Sequence, residues 1–255
     1  MRSRSLIAGL CFLGATIASA QTLTVKENAS DFTVDTGAAV FRVNRKHGVL
    51  TQVGPVGGKA VKGQFFYALF YPPVRDKKTP GYENFPKPHS QLDAKVAVKK
   101  KVADDQQAVI ESSFTCKLGK VTETYAFQAG KPFVKITVSL ELTSSTHDVE
   151  LACSTPAPLD YQKSRFFPRN EQHGSGGPPG HLARQTLRYT PAPDYAFWLD
   201  PVNHTGMGAL IPEAGDLDRI SYRLRDKTAK KWRTFALNVH FRSLYGDRKT
   251  YKGVF

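Results

Sequence analysis

Hydrophobic and polar residues alternate most clearly in residues 107–143, the segment QAVIESSFTCKLGKVTETYAFQAGKPFVKITVSLELT. At the end of this segment, residues 134–142 alternate between apolar and polar side chains. The apolar residues are Val134, Ile136, Val138, Leu140 and Leu142, and the polar residues between them are Lys135, Thr137, Ser139 and Glu141. A two-residue period predicts a β-strand with one buried face and one solvated face. Turn residues at 117–120 and 129–132 divide the segment into three strands. We therefore expect an antiparallel meander at the centre of a large β-sandwich.

Short apolar and aromatic runs on both sides of this meander extend the β pattern. The predicted strands cover residues 22–26, 31–36, 39–44, 49–53, 64–71, 92–102, 149–153, 186–190, 195–199, 207–211, 219–224 and 232–241. Residues 72–89 and 154–184 are rich in Pro or Gly and predict long loops. No stretch combines a helical period with helix caps, so little or no helix is expected. The predicted fold class is all-β, a large antiparallel β-sandwich.

The first twenty residues have the order of a secretory signal peptide. Arg2 and Arg4 precede an apolar run, and Ala18-Ser19-Ala20 forms a small-residue cleavage site before Gln21. The apolar run is too short to span a membrane. We expect a periplasmic or secreted protein in which residues 21–255 form one sandwich domain, with a small N-terminal barrel over residues 21–71 as the alternative division.

Two cysteines, Cys116 and Cys153, remain after removal of the leader. In an oxidising compartment they could form a disulfide, but two buried free thiols fit the sequence equally well. The formal net charge is +14, and the leader carries two arginines and no acidic residue, which leaves +12. A secreted basic protein meets anionic polysaccharides and cell-wall polymers before it meets nucleic acid. No nucleic-acid-binding motif accompanies the charge, so no nucleic-acid partner is expected.

Two stretches carry a resemblance to carbohydrate-active proteins. Residues 34–43, VDTGAAVFRV, followed by Gly48-Val49-Leu50, resemble the opening strands of the exo-rhamnogalacturonan lyase-like family. Residues 122–125, TETY, with 130–134, GKPFV, are similar to the sandwich sheet of that family and of the galactose-mutarotase-like supersandwich group. The resemblance implies a β-sandwich whose concave face handles sugars. Such lyases add a large helical toroid, for which this chain has no room, so the resemblance favours a stand-alone sugar-binding or accessory sandwich.

Candidate chemistry concentrates in the second predicted loop and the strand that follows it. Cationic, imidazole, carboxylate and phenol groups lie close together in sequence there: Tyr161, Arg165, Arg169, Glu171, His173, His181, Arg184 and Tyr189. Lyase chemistry on a uronate needs a cation to neutralise the carboxylate and a base to remove the α-proton. The three arginines could supply the planar cation. His173, His181 or Tyr161 could act as the base.

Epimerase chemistry at an anomeric centre instead needs a histidine and a carboxylate. His173 or His204 could pair with Glu171 or Glu213 for that purpose. A surface loop with solvated charges explains the same composition. Catalysis is therefore an open question at this point, and a non-catalytic envelope module that binds a protein or cell-wall partner is the competing interpretation.

Aromatic side chains could stack on pyranose rings. In alternating strands such residues are more often core, so Phe197 and Trp232 are expected in the core, while Trp198 fits either role. His173 and His181 lie across flexible glycines without a metal-ligand motif, so neither a metal nor a cofactor is expected. The predicted partner is an anionic or neutral polysaccharide, bound by Arg165, Arg169, Arg184, Tyr189 and Trp198.

Overall fold

The computed structural model describes residues 21–72, 87–144, 148–156, 165–168, 185–188, 194–200, 205–211, 215–226, 233–241 and 249–255. These residues contain eighteen strands: β1 Thr24–Glu27, β2 Asp31–Asp35, β3 Ala39–Asn44, β4 Leu50–Pro55, β5 Val61–Tyr71, β6 His89–Ser90, β7 Ala97–Ala103, β8 Gln107–Cys116, β9 Gly119–Gln128, β10 Lys135–Leu142, β11 Asp148–Pro156, β12 Arg165–Pro168, β13 Gln185–Arg188, β14 Asp194–Asp200, β15 Thr205–Ile211, β16 Leu217–Asp226, β17 Arg233–Phe241 and β18 Thr250–Val254. The one helical element in these ranges is a 3₁₀ turn, Gln91–Asp93. Within the described residues every strand pairing is antiparallel.

The described strands form three sheets. The largest has ten strands in the order β1-β2-β3-β4-β5-β11-β17-β16-β13, with β6 paired to β5. The second has five strands in the order β18-β10-β9-β8-β7, and the third has the order β12-β14-β15. Consecutive antiparallel strands need only short turns, which explains why neighbours in sequence are mostly neighbours in the sheets.

The predicted meander is confirmed as β8, β9 and β10 of the five-stranded sheet. Along β10 the even-numbered residues are buried, while Lys135, Thr137 and Glu141 are exposed and Ser139 is half-buried. The turn between β9 and β10 contains Gly130 at φ 73, a backbone angle that favours glycine. The two-residue period therefore fixed which face of this sheet packs inward.

Aromatic rings from the two larger sheets meet in one buried core. Phe41 of β3 packs on Phe127 of β9 with ring centroids 5.2 Å apart, and Phe70 of β5 meets Phe114 of β8 edge to face at 5.8 Å. All four rings are buried. Burying one such side chain contributes about 1.5–3 kcal/mol, so these contacts are a main force that holds the layers together. The predicted fold class, a large antiparallel β-sandwich, is confirmed.

Strand β5 carries a bulge at the centre of the ten-stranded sheet. Ala152 is opposite Tyr67 and Ser154 is opposite Gln64, so Phe65 and Phe66 together face one residue of β11. Phe66 has φ 59, the one positive φ among described non-glycine residues. Its ring packs edge to face on Phe255 at 4.8 Å. The bulge thus lets two consecutive phenylalanines both become buried, which a regular strand would not allow.

Three sequence predictions need correction. The predicted strand 92–102 begins only at Ala97, because residues 91–93 form the 3₁₀ turn, which Ser90 caps by accepting a hydrogen bond from the Leu92 amide at 3.2 Å. The predicted loop 154–184 contains the end of β11 and the strand β12, both of which find partner strands. The C-terminal residues, to which the sequence analysis assigned no strand, form β18, which pairs with β10.

Cys116 and Cys153 are free thiols in the structure, so the disulfide alternative is not realised there. Cys153 is buried in the core, and Cys116 lies at the end of β8. The leader, residues 1–20, lies outside the described residues. The signal peptide and the single-domain division therefore stay predictions.

Candidate functional site

Two of the predicted polysaccharide-binding residues fall on paired strands of the three-stranded sheet. Arg165 of β12 is opposite Leu199 of β14, and the next pair along is Phe166 with Trp198. The backbones of Arg165 and Trp198 are thus one register position apart. The prediction had placed Arg165 in a loop and Trp198 in a strand, so the strand assignment is confirmed for Trp198 alone.

The other predicted site residues lie outside the described residues: Tyr161, Arg169, Glu171, His173, His181, Arg184 and Tyr189, together with the alternatives His204 and Glu213. Their roles as base, carboxylate or cation stay predictions. Trp232, which was expected in the core, also lies outside the described residues.

A buried polar cluster that the sequence analysis missed lies between the two larger sheets. We call it the inner polar cluster, and its members are His47, Gln91, Ser112, Glu123 and Tyr125. They come from the β3–β4 hairpin, the 3₁₀ turn, β8 and β9. Glu123 is 1% exposed and lies in phase with the apolar inward residues of β9. An acidic residue at an inward position of an alternating strand was the available sequence signal.

The Gln91 side chain connects three other members of this cluster to strand β5. Its Oε1 accepts a hydrogen bond from the Ala68 amide at 2.8 Å. Its Nε2 lies 2.9 Å from the His47 carbonyl oxygen, to which it donates, and 3.3 Å from Ser112 Oγ. The same amide group lies 3.4 Å from Glu123 Oε2. A buried amide with all its partners supplied by the protein holds the turn against both sheets.

Glu123 and Tyr125 make the shortest hydrogen bond in the cluster. Tyr125 Oη donates to Glu123 Oε2 at 2.6 Å, and it also lies 3.1 Å from the Gly48 carbonyl oxygen. Burial raises the pKa of Glu123 to about 8, against the lowering effect of its hydrogen bonds from Tyr125 and Gln91. Burial, followed by the nearby carboxylate, raises the pKa of Tyr125 well above its ordinary value. At neutral pH both groups are therefore mostly uncharged.

The inner polar cluster has the geometry of a structural network. Its hydrogen bonds join the hairpin, the 3₁₀ turn and β9, and Glu123 and Tyr125 have almost no exposed surface that a substrate could reach. Glu123 Oε1 and His47 Nδ1 are buried without a hydrogen-bond partner.

A second buried carboxylate, Glu150, accepts a hydrogen bond from Tyr71 Oη at 2.5 Å and ties the end of β5 to β11.

The described residues contain no metal centre and no membrane-spanning helix. No group of three or more His, Cys, Asp or Glu side chains in these residues is arranged to hold a metal ion. None of the helices in the same part of the chain has the length and apolar character needed to cross a bilayer. The predicted histidines, His173 and His181, lie outside that part.

The fold and these contacts define the chain as a large antiparallel β-sandwich with a buried polar network. No protein-family model matches it, and no curated protein does. Among solved structures it is similar to a protein described as a "putative mutarotase (YeaD)" from Salmonella typhimurium, at 10% identity over 91% of this chain and 92% of that chain, with a TM-score of 0.40.

A second similar structure is YidC from Thermotoga maritima, at 8% identity over 87% of this chain and 51% of that chain, with a TM-score of 0.33. The chain spans about half the length of that protein. Both TM-scores are below 0.5, so neither likeness carries an argument about function. The fold class rests on the strand pairings and the buried core themselves.

Proposed function

We propose that the chain is an extracytoplasmic β-sandwich protein that binds an acidic, pectin-like polysaccharide. The leader-like residues 1–20 and the formal charge of +12 on the remainder support this location and this class of ligand. The mutarotase-like and lyase-like sequence motifs support a sugar as the ligand. The observation that carries the proposal is this excess of positive charge on an all-β chain, and Arg165 and Trp198 are the residues through which it is tested.

A uronate residue in a polysaccharide offers two groups for recognition, a carboxylate and the C–H face of its ring. A guanidinium binds the carboxylate through two parallel hydrogen bonds, and an indole supplies a flat apolar platform for the ring. Arg165 and Trp198 occupy consecutive register positions of β12 and β14, and because strand residues alternate between faces, these two positions belong to opposite faces of the small sheet. Each would therefore contact the polymer separately. Arg169 follows β12 directly in sequence and would add a second cation.

Substitution of either residue is the test of this proposal. We expect Arg165→Ala and Trp198→Ala each to weaken binding to polygalacturonate by about tenfold, which corresponds to the loss of one charge-assisted hydrogen bond or one stacking contact. Affinity electrophoresis and calorimetry with the mature protein measure the change. Lys62→Ala removes one positive charge from an exposed position on β5 and serves as the matched control.

The same assay separates binding from catalysis. Lyase activity would produce an unsaturated sugar whose absorbance rises with time, and it would be lost in His173→Ala, His181→Ala or Tyr161→Phe. Binding without product identifies an accessory module. If the wild-type protein binds neither polygalacturonate, rhamnogalacturonan nor a neutral polysaccharide, the proposal is wrong and the protein-binding envelope module becomes the interpretation to pursue.

A further inference from the structure

The outward side of the five-stranded sheet presents a compact group of hydroxyls. Across β8, β9 and β10 the register places Ser113 opposite Thr122 and Thr122 opposite Ser139. The next outward row places Thr124 opposite Thr137. We call these five residues the hydroxyl face. All five are exposed or half-buried, and Ser113 Oγ lies 3.4 Å from Thr122 Oγ1. With strands about 4.8 Å apart and outward residues about 6.8 Å apart along a strand, the hydroxyls cover about 10 Å by 7 Å.

Lysines surround the hydroxyl face. They lie at outward positions of the same five strands: Lys99 and Lys101 on β7, Lys120 on β9, Lys135 on β10 and Lys252 on β18. The two glutamates at outward positions are Glu111 and Glu141, so the formal net charge of the surface is +3. Lys101 Nζ lies 3.1 Å from Glu111 Oε1. Lys120, Lys135 and Lys252 make no salt bridge among the residues that the structure describes.

We propose that the hydroxyl face and its lysines form a second contact surface for an anionic polysaccharide, distinct from the three-stranded sheet that carries Arg165 and Trp198. This inference rests on the proposed function and extends it to another layer of the sandwich. Short hydroxyl side chains can exchange hydrogen bonds with sugar hydroxyls, and ammonium groups around them can neutralise carboxylates. Threonine is also restricted at χ1, so little side-chain entropy is lost when a ligand is bound.

Charge complementarity favours a polysaccharide over other polyanions. The outward positions of β7–β10 and β18 carry no arginine for bidentate phosphate contacts and no aromatic side chain for base stacking. These strand positions also carry no large apolar group that could insert into a lipid bilayer, since their apolar residues are alanines and valines. The exposed Phe133 lies beside them in the β9–β10 turn, so binding to lipid vesicles is included as an outcome of the test. A dense group of small hydroxyls between positive charges is instead suited to a polyhydroxylated chain with spaced carboxylates.

Two contact surfaces on one protein predict that the binding affinity increases with the length of the ligand. A long polymer can reach both surfaces, so its second contact becomes intramolecular, whereas a short oligosaccharide occupies one surface at a time. The wild-type protein is therefore expected to prefer polygalacturonate over galacturonate oligosaccharides. Loss of either surface is expected to reduce that preference.

The experiment compares three triple variants of the mature protein. Lys120→Gln/Lys135→Gln/Lys252→Gln removes the charges, and Thr122→Val/Thr124→Val/Thr137→Val removes hydroxyls with little change of shape. The matched control, Lys26→Gln/Lys46→Gln/Lys62→Gln, removes three exposed charges from the ten-stranded sheet and its β3–β4 hairpin. Affinity for polygalacturonate is measured at several salt concentrations, and circular dichroism confirms folding.

We expect the lysine triple to bind polygalacturonate about tenfold more weakly and with a smaller salt dependence, while the control changes by less than about twofold. The Thr122→Val/Thr124→Val/Thr137→Val variant should also bind more weakly, but with the salt dependence of the wild-type protein, because its lysines are unchanged. Equal affinities of the lysine triple and the control contradict the inference, and the proposed function survives if Arg165→Ala still weakens binding. Tighter binding to anionic lipid vesicles or to duplex DNA than to the polymer also contradicts it. A wild-type protein that binds no polysaccharide overturns the proposed function and this inference together.

Discussion

Replacement of Gly48 with alanine is expected to lower the free energy of unfolding by about 3 kcal/mol or more. Gly48 has φ 65, where a side chain costs about 1–2 kcal/mol. A Cβ atom there would overlap Ser112 Oγ and would lie 2.8 Å from Ser112 Cβ. Ser112 would have to move, and its contact with Gln91 would be disturbed. Urea unfolding of the purified mature protein measures the change.

Gly57→Ala is the matched control for this prediction. Gly57 has φ 71, but a Cβ atom built there has no neighbour within 4 Å, so the control carries the backbone cost without the overlap. We expect the control to cost about 1–2 kcal/mol. The double variant Gly48→Ala/Ser112→Gly should recover part of the loss. Equal losses in Gly48→Ala and Gly57→Ala would show that the Gly48–Ser112 packing is not tight.

Local sequence patterns predicted the sandwich because its register depends on local alternation. In β10 each inward residue is apolar, and a slip by one position would expose the whole set. The turn between the strands predicted over residues 39–44 and 49–53 is likewise a local feature, and Gly48 in it adopts a positive φ. Both features require only neighbouring residues, so a single sequence contains enough information to predict them.

Contacts between distant segments account for what the sequence analysis missed. Gln91 bonds to Ala68 and His47, which are 23 and 44 residues away, and these bonds favour a 3₁₀ turn over the predicted strand. The inner polar cluster likewise combines residues from four separate segments. Arg165 became a strand residue because β14 offers it a partner, a fact that local composition does not contain. The predicted chemistry of residues 169–184 stays a prediction.

Glu123 makes the free energy of unfolding depend on pH, and because burial raises its pKa, the protein becomes less stable as the pH rises. Its pKa is about 8 in the folded state, compared with 4.5 for an unperturbed glutamate. Between these values the folded protein retains a proton that the unfolded chain has released. The contribution that this difference in proton binding makes to folding stability is fully present below pH 4.5 and is lost as the pH rises toward 8. The raised pKa of Tyr125 keeps its phenol uncharged throughout this window.

The substitution Glu123→Gln should remove this pH dependence while the acceptor for Tyr125 Oη is retained. Relative to the variant, the wild-type protein should become progressively less stable as the pH rises from 5 to 8, by roughly 3 to 4 kcal/mol in total. The other titrating groups are common to both proteins and cancel in the comparison. Urea unfolding at pH 5, 6, 7 and 8 measures the difference. Parallel stability profiles would mean that Glu123 ionises in the folded protein near its ordinary pKa, and that the core around it admits enough water to solvate the charge.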